Sequence, residues 1–244
     1  MTRRLNIINV DFIEQFGGVD AIVSLNEHYP KTEPATIVPR VVTESFTWTL
    51  KAINKNGILY VEATTGSPFR AQQGQIHVYP PQDPFPADPA GKARAWKWDN
   101  DAQVWNTGLK WTPGMRIAWV AEKSPNGPRV PFLKLETLDA ESSGTATYTW
   151  KLRIGNDGGK NDDGKLILEG DTDAPFRAQQ GQLYVYPLGS TFPSNSDGKA
   201  EKWKWDNEAH PWRVGVPYSR GRNVAWVAQQ SPNGPNTPFL KVTI

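Results

Sequence analysis

The strongest constraint on this chain is a stretch of sequence that it contains twice. Residues 68–137 and 175–244 align without a gap at a constant offset of 107 positions, and more than half of the aligned residues are identical. Both stretches contain the motif PFRAQQGQ, a Trp-Lys-Trp-Asp-Asn segment and the turn Ser-Pro-Asn-Gly-Pro. We therefore expect two similar folded units, which we call the first copy and the second copy.

Length and charge limit the class of protein. A chain of 244 residues is long enough for two units of about 100 to 120 residues, each able to bury a core. The formal net charge is only +2, which favours no nucleic-acid partner. Apolar runs are too short for a membrane span, and the basic N-terminus does not lead into a signal-peptide core. We expect a soluble protein, either cytoplasmic or released without a classical signal peptide.

Composition and turn spacing predict an all-β fold. The chain has 21 Gly, 21 Pro and 11 Trp but no Cys, so packing rather than disulfides must hold many short strands together. We predict two tandem homologous antiparallel repeats, each a β-sandwich or small barrel, over residues 43–139 and 146–244. Residues 1–42 are predicted to be an N-terminal extension with a strand and short helices, and residues 138–145 a linker.

Each repeat is expected to open with an alternating strand, at residues 45–50 in the first and 147–152 in the second. The offset there is 102 positions, so the second copy has a five-residue insertion in the hairpin turn that follows. That turn is acidic over residues 157–163. It lacks the spacing of a calcium-binding loop, and we interpret it as a solvated turn rather than a metal site.

The search for catalytic residues is negative. The three histidines are not repeated, since Tyr184 stands at the position of His77 and Gln103 at that of His210. Nucleophile-elbow, phosphate-loop and zinc-helix motifs are absent from the sequence. Asp99 and Asp206 recur beside aromatic residues without a repeated Glu partner, which is weak support for a glycosidase. We expect a protein that is not an enzyme and needs no cofactor or metal.

Tryptophan is the sharpest functional signal. Ten of the 11 Trp residues occur in pairs at equivalent positions, and Trp111 alone is replaced, by Tyr218. Residues two apart in a strand share a face, so Trp96 and Trp98 are expected side by side. Two adjacent indoles form either a large core or an exposed platform. Indole faces stack on the CH faces of sugars, and a neighbouring Asp-Asn pair can hydrogen-bond hydroxyl groups.

The predicted ligand site of each copy combines three Trp residues with an Asp-Asn pair and the Arg of the PFRAQQGQ motif. That Arg belongs to a polar cluster that either contributes to a site or stitches a loop to the sheet. The predicted site residues are Arg70, Trp96, Trp98, Asp99, Asn100 and Trp105 in the first copy, and Arg177, Trp203, Trp205, Asp206, Asn207 and Trp212 in the second.

These features predict a non-catalytic, lectin-like carbohydrate-binding protein that is bivalent through two Trp-rich sites. Its expected partners are glycans or glycoconjugates on a cell surface. One alternative is a cell-surface, membrane- or receptor-binding module of a toxin-like or defence protein, in which the exposed aromatic residues bind headgroups or a receptor. Another is a structural assembly subunit, and a homo-oligomer is left open as a partner.

Overall fold

A computed structural model of the chain describes residues 40–81, 85, 91–99, 104–139, 141–157, 164–206 and 211–244. The N-terminal extension predicted for residues 1–42 lies outside this part except for residues 40–42, which form the start of a strand. From residue 40 onwards the described chain falls within one compact unit.

The described residues form 14 β-strands and no helix, so no segment among them could cross a bilayer as a helix. All pairings between the strands are antiparallel. The first seven are β1 (Arg40–Lys55), β2 (Ile58–Thr65), β3 (Gln75–Tyr79), β4 (Ala95–Trp98), β5 (Val104–Lys110), β6 (Arg116–Glu122) and β7 (Arg129–Leu135). The next seven are β8 (Glu141–Asn156), β9 (Lys165–Thr172), β10 (Gln182–Val185), β11 (Lys202–Trp205), β12 (Trp212–Pro217), β13 (Asn223–Gln229) and β14 (Asn236–Thr243).

The central sheet takes strands from both copies, in the order β12-β9-β8-β1-β2-β5. At its middle, Phe46 of β1 lies opposite Tyr148 of β8, and these residues occupy equivalent positions in the two repeats. A second pair of equivalent residues, Ala71 and Ala178, forms an isolated antiparallel bridge. Equivalent residues that face each other across an antiparallel pair define a local twofold axis perpendicular to the sheet.

Each copy also forms a four-stranded sheet of its own. The orders are β4-β3-β6-β7 and β11-β10-β13-β14, so corresponding strands occupy corresponding places. Small residues of the central sheet allow close approach to these sheets. A Cβ added at Gly144 would lie 3.0 Å from the Leu135 side chain, and one at Gly170 would lie 3.0 Å from the Trp226 ring.

The core between the central sheet and the smaller sheets is aromatic and crosses from one copy to the other. Trp48 is 1% exposed, and its ring centroid lies 5.3 Å from that of Phe176 in the second copy. Phe46 packs in the same way on Phe239, with centroids 6.3 Å apart. Rings at such distances interact favourably edge to face as well as by burying apolar area. Each copy therefore lacks part of its core without the other.

Two features differ from expectation. Residues 141–145, predicted to be linker, form the start of β8, because the long strands β1 and β8 pair with each other. The segments 104–110 and 212–217, read as turn-rich, are the edge strands β5 and β12. Gly108 and Gly215 in these strands have φ of +70° and +81°, and the register shifts beside them, although burial still alternates from residue to residue along both strands.

Candidate functional site

The most exposed tryptophans are two pairs on edge strands. Trp96 and Trp98 of β4 are 53% and 39% exposed, and Trp203 and Trp205 of β11 are 54% and 40% exposed. Within each pair the rings stand almost at right angles, with centroids 5.7 Å and 5.9 Å apart. Each pair thus forms an aromatic corner on the face of its four-stranded sheet that points away from the central sheet. We call these faces the first outer face and the second outer face.

Strand pairing fixes what lies beside each corner. Trp98 is opposite Gln75 and Trp96 is opposite His77 of the neighbouring strand β3. The Gln75 and His77 side chains are buried and hydrogen-bonded, with 2.8 Å between the Gln75 Oε1 and His77 Nε2 atoms. The Tyr79 hydroxyl, further along the same strand, lies 3.3 Å from His77 Nδ1 and extends this chain of hydrogen bonds. These polar groups are therefore satisfied inside the protein beneath the corner.

Phe85 lies in the loop between β3 and β4, and Phe192 in the loop between β10 and β11. These two rings cover the end of each outer face that is farther from the Trp corner. Phe85 packs edge-on against Tyr79 with centroids 5.4 Å apart, and Phe192 packs against Tyr186 at 5.9 Å. Burial raises the pKa of the Tyr186 phenol to about 12, although a hydrogen bond to Ser196 opposes the shift. Burial likewise raises the pKa of Tyr79. The two loop residues leave the Trp corner as the open part of each face.

The predicted acidic site residues lie inside the protein rather than beside the indoles. Asp99 forms an ion pair with Arg70 and accepts a hydrogen bond from the Trp119 indole at 2.8 Å, and its side chain is only 2% exposed. In the second copy Asp206 is bound in the same way by Arg177 and Trp226. Their carboxylate oxygens already accept hydrogen bonds from the protein itself.

The PFRAQQGQ motif forms the junction between the two copies. The backbone N–H of Gln72 donates to the Arg177 carbonyl at 2.8 Å, and the backbone N–H of Gln179 donates to the Arg70 carbonyl at 2.7 Å. The Gln73 amide donates to the side chain of Gln179 at 2.9 Å. Burial lowers the pKa of the Arg177 guanidinium to about 10. Backbone bonds and the Gln side chains of the motif thus join the two copies to each other, a role that differs from the predicted one of joining a loop to the sheet.

The remaining predicted site residues are separated from the corners. Trp105 lies opposite Val61 and Trp212 opposite Leu168, so both half-buried indoles are on the core side of the central sheet. Asn100 and Asn207 fall outside the described residues. Four of the twelve predicted residues lie in contact on the open faces, as the pairs Trp96–Trp98 and Trp203–Trp205.

Sequence reasoning did not identify the arginine closest to the first corner. The guanidinium carbon of Arg129 lies 5.8 Å from the centroid of the Trp98 ring, a cation–π geometry. Arg129 is opposite Glu122, whose buried carboxyl has a raised pKa because desolvation outweighs the field of Arg129. The second copy has Asn236 and Gln229 at these positions, and this difference between the copies was the available signal.

Two cavities in the described part of the chain have volumes of about 90 and 120 Å³ and lie around Asp171, away from the Trp corners. Pockets for drug-sized ligands are typically several times larger, roughly 300–1,000 Å³. The described residues also contain no cluster of three or more metal-ligating side chains. The open aromatic faces are therefore the best candidates for ligand binding.

Comparisons of the chain with protein-family models, with curated proteins and with solved structures give no match.

Proposed function

We propose that this protein is a non-catalytic carbohydrate-binding protein with one shallow site on each outer face. The observation that carries the proposal is the pair of Trp corners, which have the same ring geometry and nearly the same exposure in both copies. Burying an aromatic side chain usually stabilises a fold, and here about half of each ring is left in water. Retention of that exposure in both copies supports a ligand that covers the rings.

The chemistry of an indole corner suits a sugar ring. A pyranose has an apolar CH face that stacks on a flat aromatic ring, and its hydroxyl groups point outward from the edge of that face. A second ring at right angles bounds the sugar on one side and limits how it can rotate. Affinity at such a shallow surface comes from apolar contact, and neighbouring polar side chains set the orientation.

The pairing of the two copies supports bivalent binding. The local twofold axis through Phe46–Tyr148 and Ala71–Ala178 is perpendicular to the central sheet. Rotation about such an axis leaves the direction of the central-sheet normal unchanged, so both outer faces, which point away from the central sheet, lie on the same side of that sheet. Two weak sites arranged in this way can bind one multivalent glycan surface far more strongly than either does alone.

A glycan array probed with the labelled protein tests the proposal. We expect the wild type to bind a defined glycan, Trp98→Ala and Trp205→Ala each to weaken binding by roughly 100-fold through lost avidity, and the double variant to abolish it. Leu188→Ala is the matched control, because Leu188 is 56% exposed and lies in the loop after β10, outside the corner. The near-ultraviolet circular dichroism of every variant should match that of the wild type.

Two results would overturn the proposal. One is a folded wild type that binds no saccharide on the array. The other is sedimentation with sugar-free phosphatidylcholine vesicles that the same Trp variants abolish, since this would assign the corners to lipid binding.

A further inference from the structure

The two outer faces have matching centres and different flanks. Each face is built of rows of residues that lie opposite one another across the strands. The two central rows are Trp96–His77–Ala118 and Trp98–Gln75–Val120, and the second copy repeats them with a single change, Tyr184 for His77. The differences between the copies are concentrated in the rows on either side.

The flanking rows of the first outer face are basic. Arg94 and Arg116 stand on either side of Tyr79 in one row. Arg116 is paired with Tyr79, and the Arg94 backbone N–H donates a hydrogen bond to the Val78 carbonyl, which places Arg94 on the other side of Tyr79. Arg129 stands opposite Glu122 in the other row. Two acidic residues accompany the arginines: Glu122, whose side chain is buried, and Glu136, which directly follows β7, is exposed and pairs with Lys134. Three guanidinium groups therefore flank the first Trp corner.

The same rows of the second outer face contain no arginine. Glu201 replaces Arg94, Asn223 replaces Arg116 and Asn236 replaces Arg129. Glu201 is held by Arg222, with the ion-pair atoms 2.5 Å apart. The Asn236 amide donates to Asp197 at 2.7 Å and is nearly buried. The second face keeps one cation over a ring, with Lys241 Nζ 6.0 Å from the Phe192 centroid, and its other polar groups bind one another.

The cations of the first face stand over aromatic rings. The guanidinium carbon of Arg116 lies 5.8 Å from the centroid of Phe85, and Lys134 Nζ lies 5.3 Å from the same centroid. Lys134 is partly neutralised by Glu136 at 3.8 Å, and both of these side chains are exposed. Ring contacts restrict the arginine side chains, so less conformational entropy is lost when they bind a ligand.

We propose, on the basis of the carbohydrate-binding function above, that both outer faces bind a sugar ring and that the first outer face in addition prefers a saccharide that carries anionic groups. The ligand preferred by the first face carries sulfate or carboxylate groups on a sugar ring that stacks in the Trp96–Trp98 corner. A planar guanidinium matches these oxyanions with two parallel hydrogen bonds, which a lysine cannot provide. Arg94, Arg116 and Arg129 are the specificity-determining residues.

Three polysaccharides distinguish the possibilities for the ligand. A heparin-type polymer carries sulfate, a hyaluronan-type polymer carries only carboxylate, and dextran is neutral. Binding of the wild type is measured by biolayer interferometry at low and at physiological salt. We expect tighter binding to at least one anionic polymer than to dextran, with an affinity that falls as salt increases.

Arginine variants assign the effect to the first face. Arg94→Glu, Arg116→Asn and Arg129→Asn introduce the residues of the second copy, and each should weaken binding of the anionic polymer by roughly tenfold if it contacts an oxyanion. Binding of dextran should be unchanged. Arg213→Asn is the matched control, because Arg213 is exposed and lies on the central sheet. Arg94→Glu changes an exposed position and is informative even if the other variants unfold.

The outcomes separate this inference from the proposed function. If the protein binds dextran as tightly as the anionic polymers, or if Arg213→Asn is as damaging as the other variants, the inference is overturned and the proposed function remains. If none of the polymers binds and the glycan array is also negative, the carbohydrate-binding function itself fails.

Discussion

The indole nitrogen of Trp119 lies 2.8 Å from a carboxylate oxygen of Asp99, on the buried side of the first four-stranded sheet. The other carboxylate oxygen receives the guanidinium of Arg70, so one acidic side chain joins the PFRAQQGQ junction, the end of β4 and the middle of β6. Asp206 makes the same connection in the second copy.

Neutralising this carboxylate should be strongly destabilising. Asp99→Asn removes the ion pair between this carboxylate and the largely buried Arg70 guanidinium, and removal of one partner of such a pair costs about 3–5 kcal/mol. Urea unfolding followed by Trp fluorescence measures the loss. Glu136→Gln is the control, because the Glu136–Lys134 pair is exposed and should contribute less than about 1 kcal/mol. A similar loss in both variants would contradict the structural role of Asp99.

Gly74 is required by the same carboxylate. A Cβ at this position would lie 1.9 Å from the Asp99 Oδ2 atom, so Gly74→Ala must displace Asp99. We expect a loss of about 1–3 kcal/mol, typical of overpacking, together with a change in Trp fluorescence. Gly66→Ala is the matched control, since an added Cβ there meets nothing within 4 Å. Equal stability of the two alanine variants would show that Asp99 does not occupy this place.

Core and surface tryptophans should respond in opposite ways. Trp48→Ala removes a fully buried ring and should cost about 3–5 kcal/mol, whereas Trp96→Ala removes a half-exposed ring and should cost about 1 kcal/mol or less. Thermal unfolding and saccharide binding are measured on both variants. Trp96→Ala should lower the melting temperature by only a few degrees and weaken saccharide binding, because the second outer face remains intact. A large drop in its stability would place this residue in the core.

Glu122 gives a pH-dependent contribution to stability. Because its pKa is raised in the folded protein, ionisation above the ordinary value of 4.5 favours the unfolded chain. The stabilising contribution is therefore complete below that value and is lost as the pH rises through the folded pKa. Glu122→Gln should raise the melting temperature at neutral pH, with a benefit that shrinks in acid. Gln229→Glu tests the same effect in the second copy and should lower the melting temperature at neutral pH.

The strand pattern of this chain was predictable where alternation is regular. The segments around Trp48, Ile76 and Trp119 are strands, as apolar and aromatic alternation indicates. Strands β5 and β12 were not predicted, although burial alternates along both, because each contains a glycine, a residue more typical of turns than of strand interiors. Pairing of β1 with β8 was also out of reach, since nothing local in a sequence states which distant strand is its neighbour.

The candidate site was predictable in part for a related reason. Strand periodicity places Trp96 and Trp98 on one face, and the structure gives them the expected contact. Strand periodicity does not predict that Asp99, one residue further on, turns inward and forms an ion pair with Arg70. Adjacency in sequence to an exposed indole was therefore a poor guide to the polar groups of the site. Arg129 reaches the corner from β7, two strands away from β3, and only the fold reveals it.

The local twofold axis through Phe46 and Tyr148 has a consequence for how such a protein could act on particles or cells. Two faces that open toward the same side can hold one surface in two places, but they cannot bridge two surfaces. If the outer faces bind glycans as proposed, a single chain would coat glycan-bearing cells without clumping them, and its polar central sheet would face away from the cell. Agglutination would require a second chain joined back to back through that sheet.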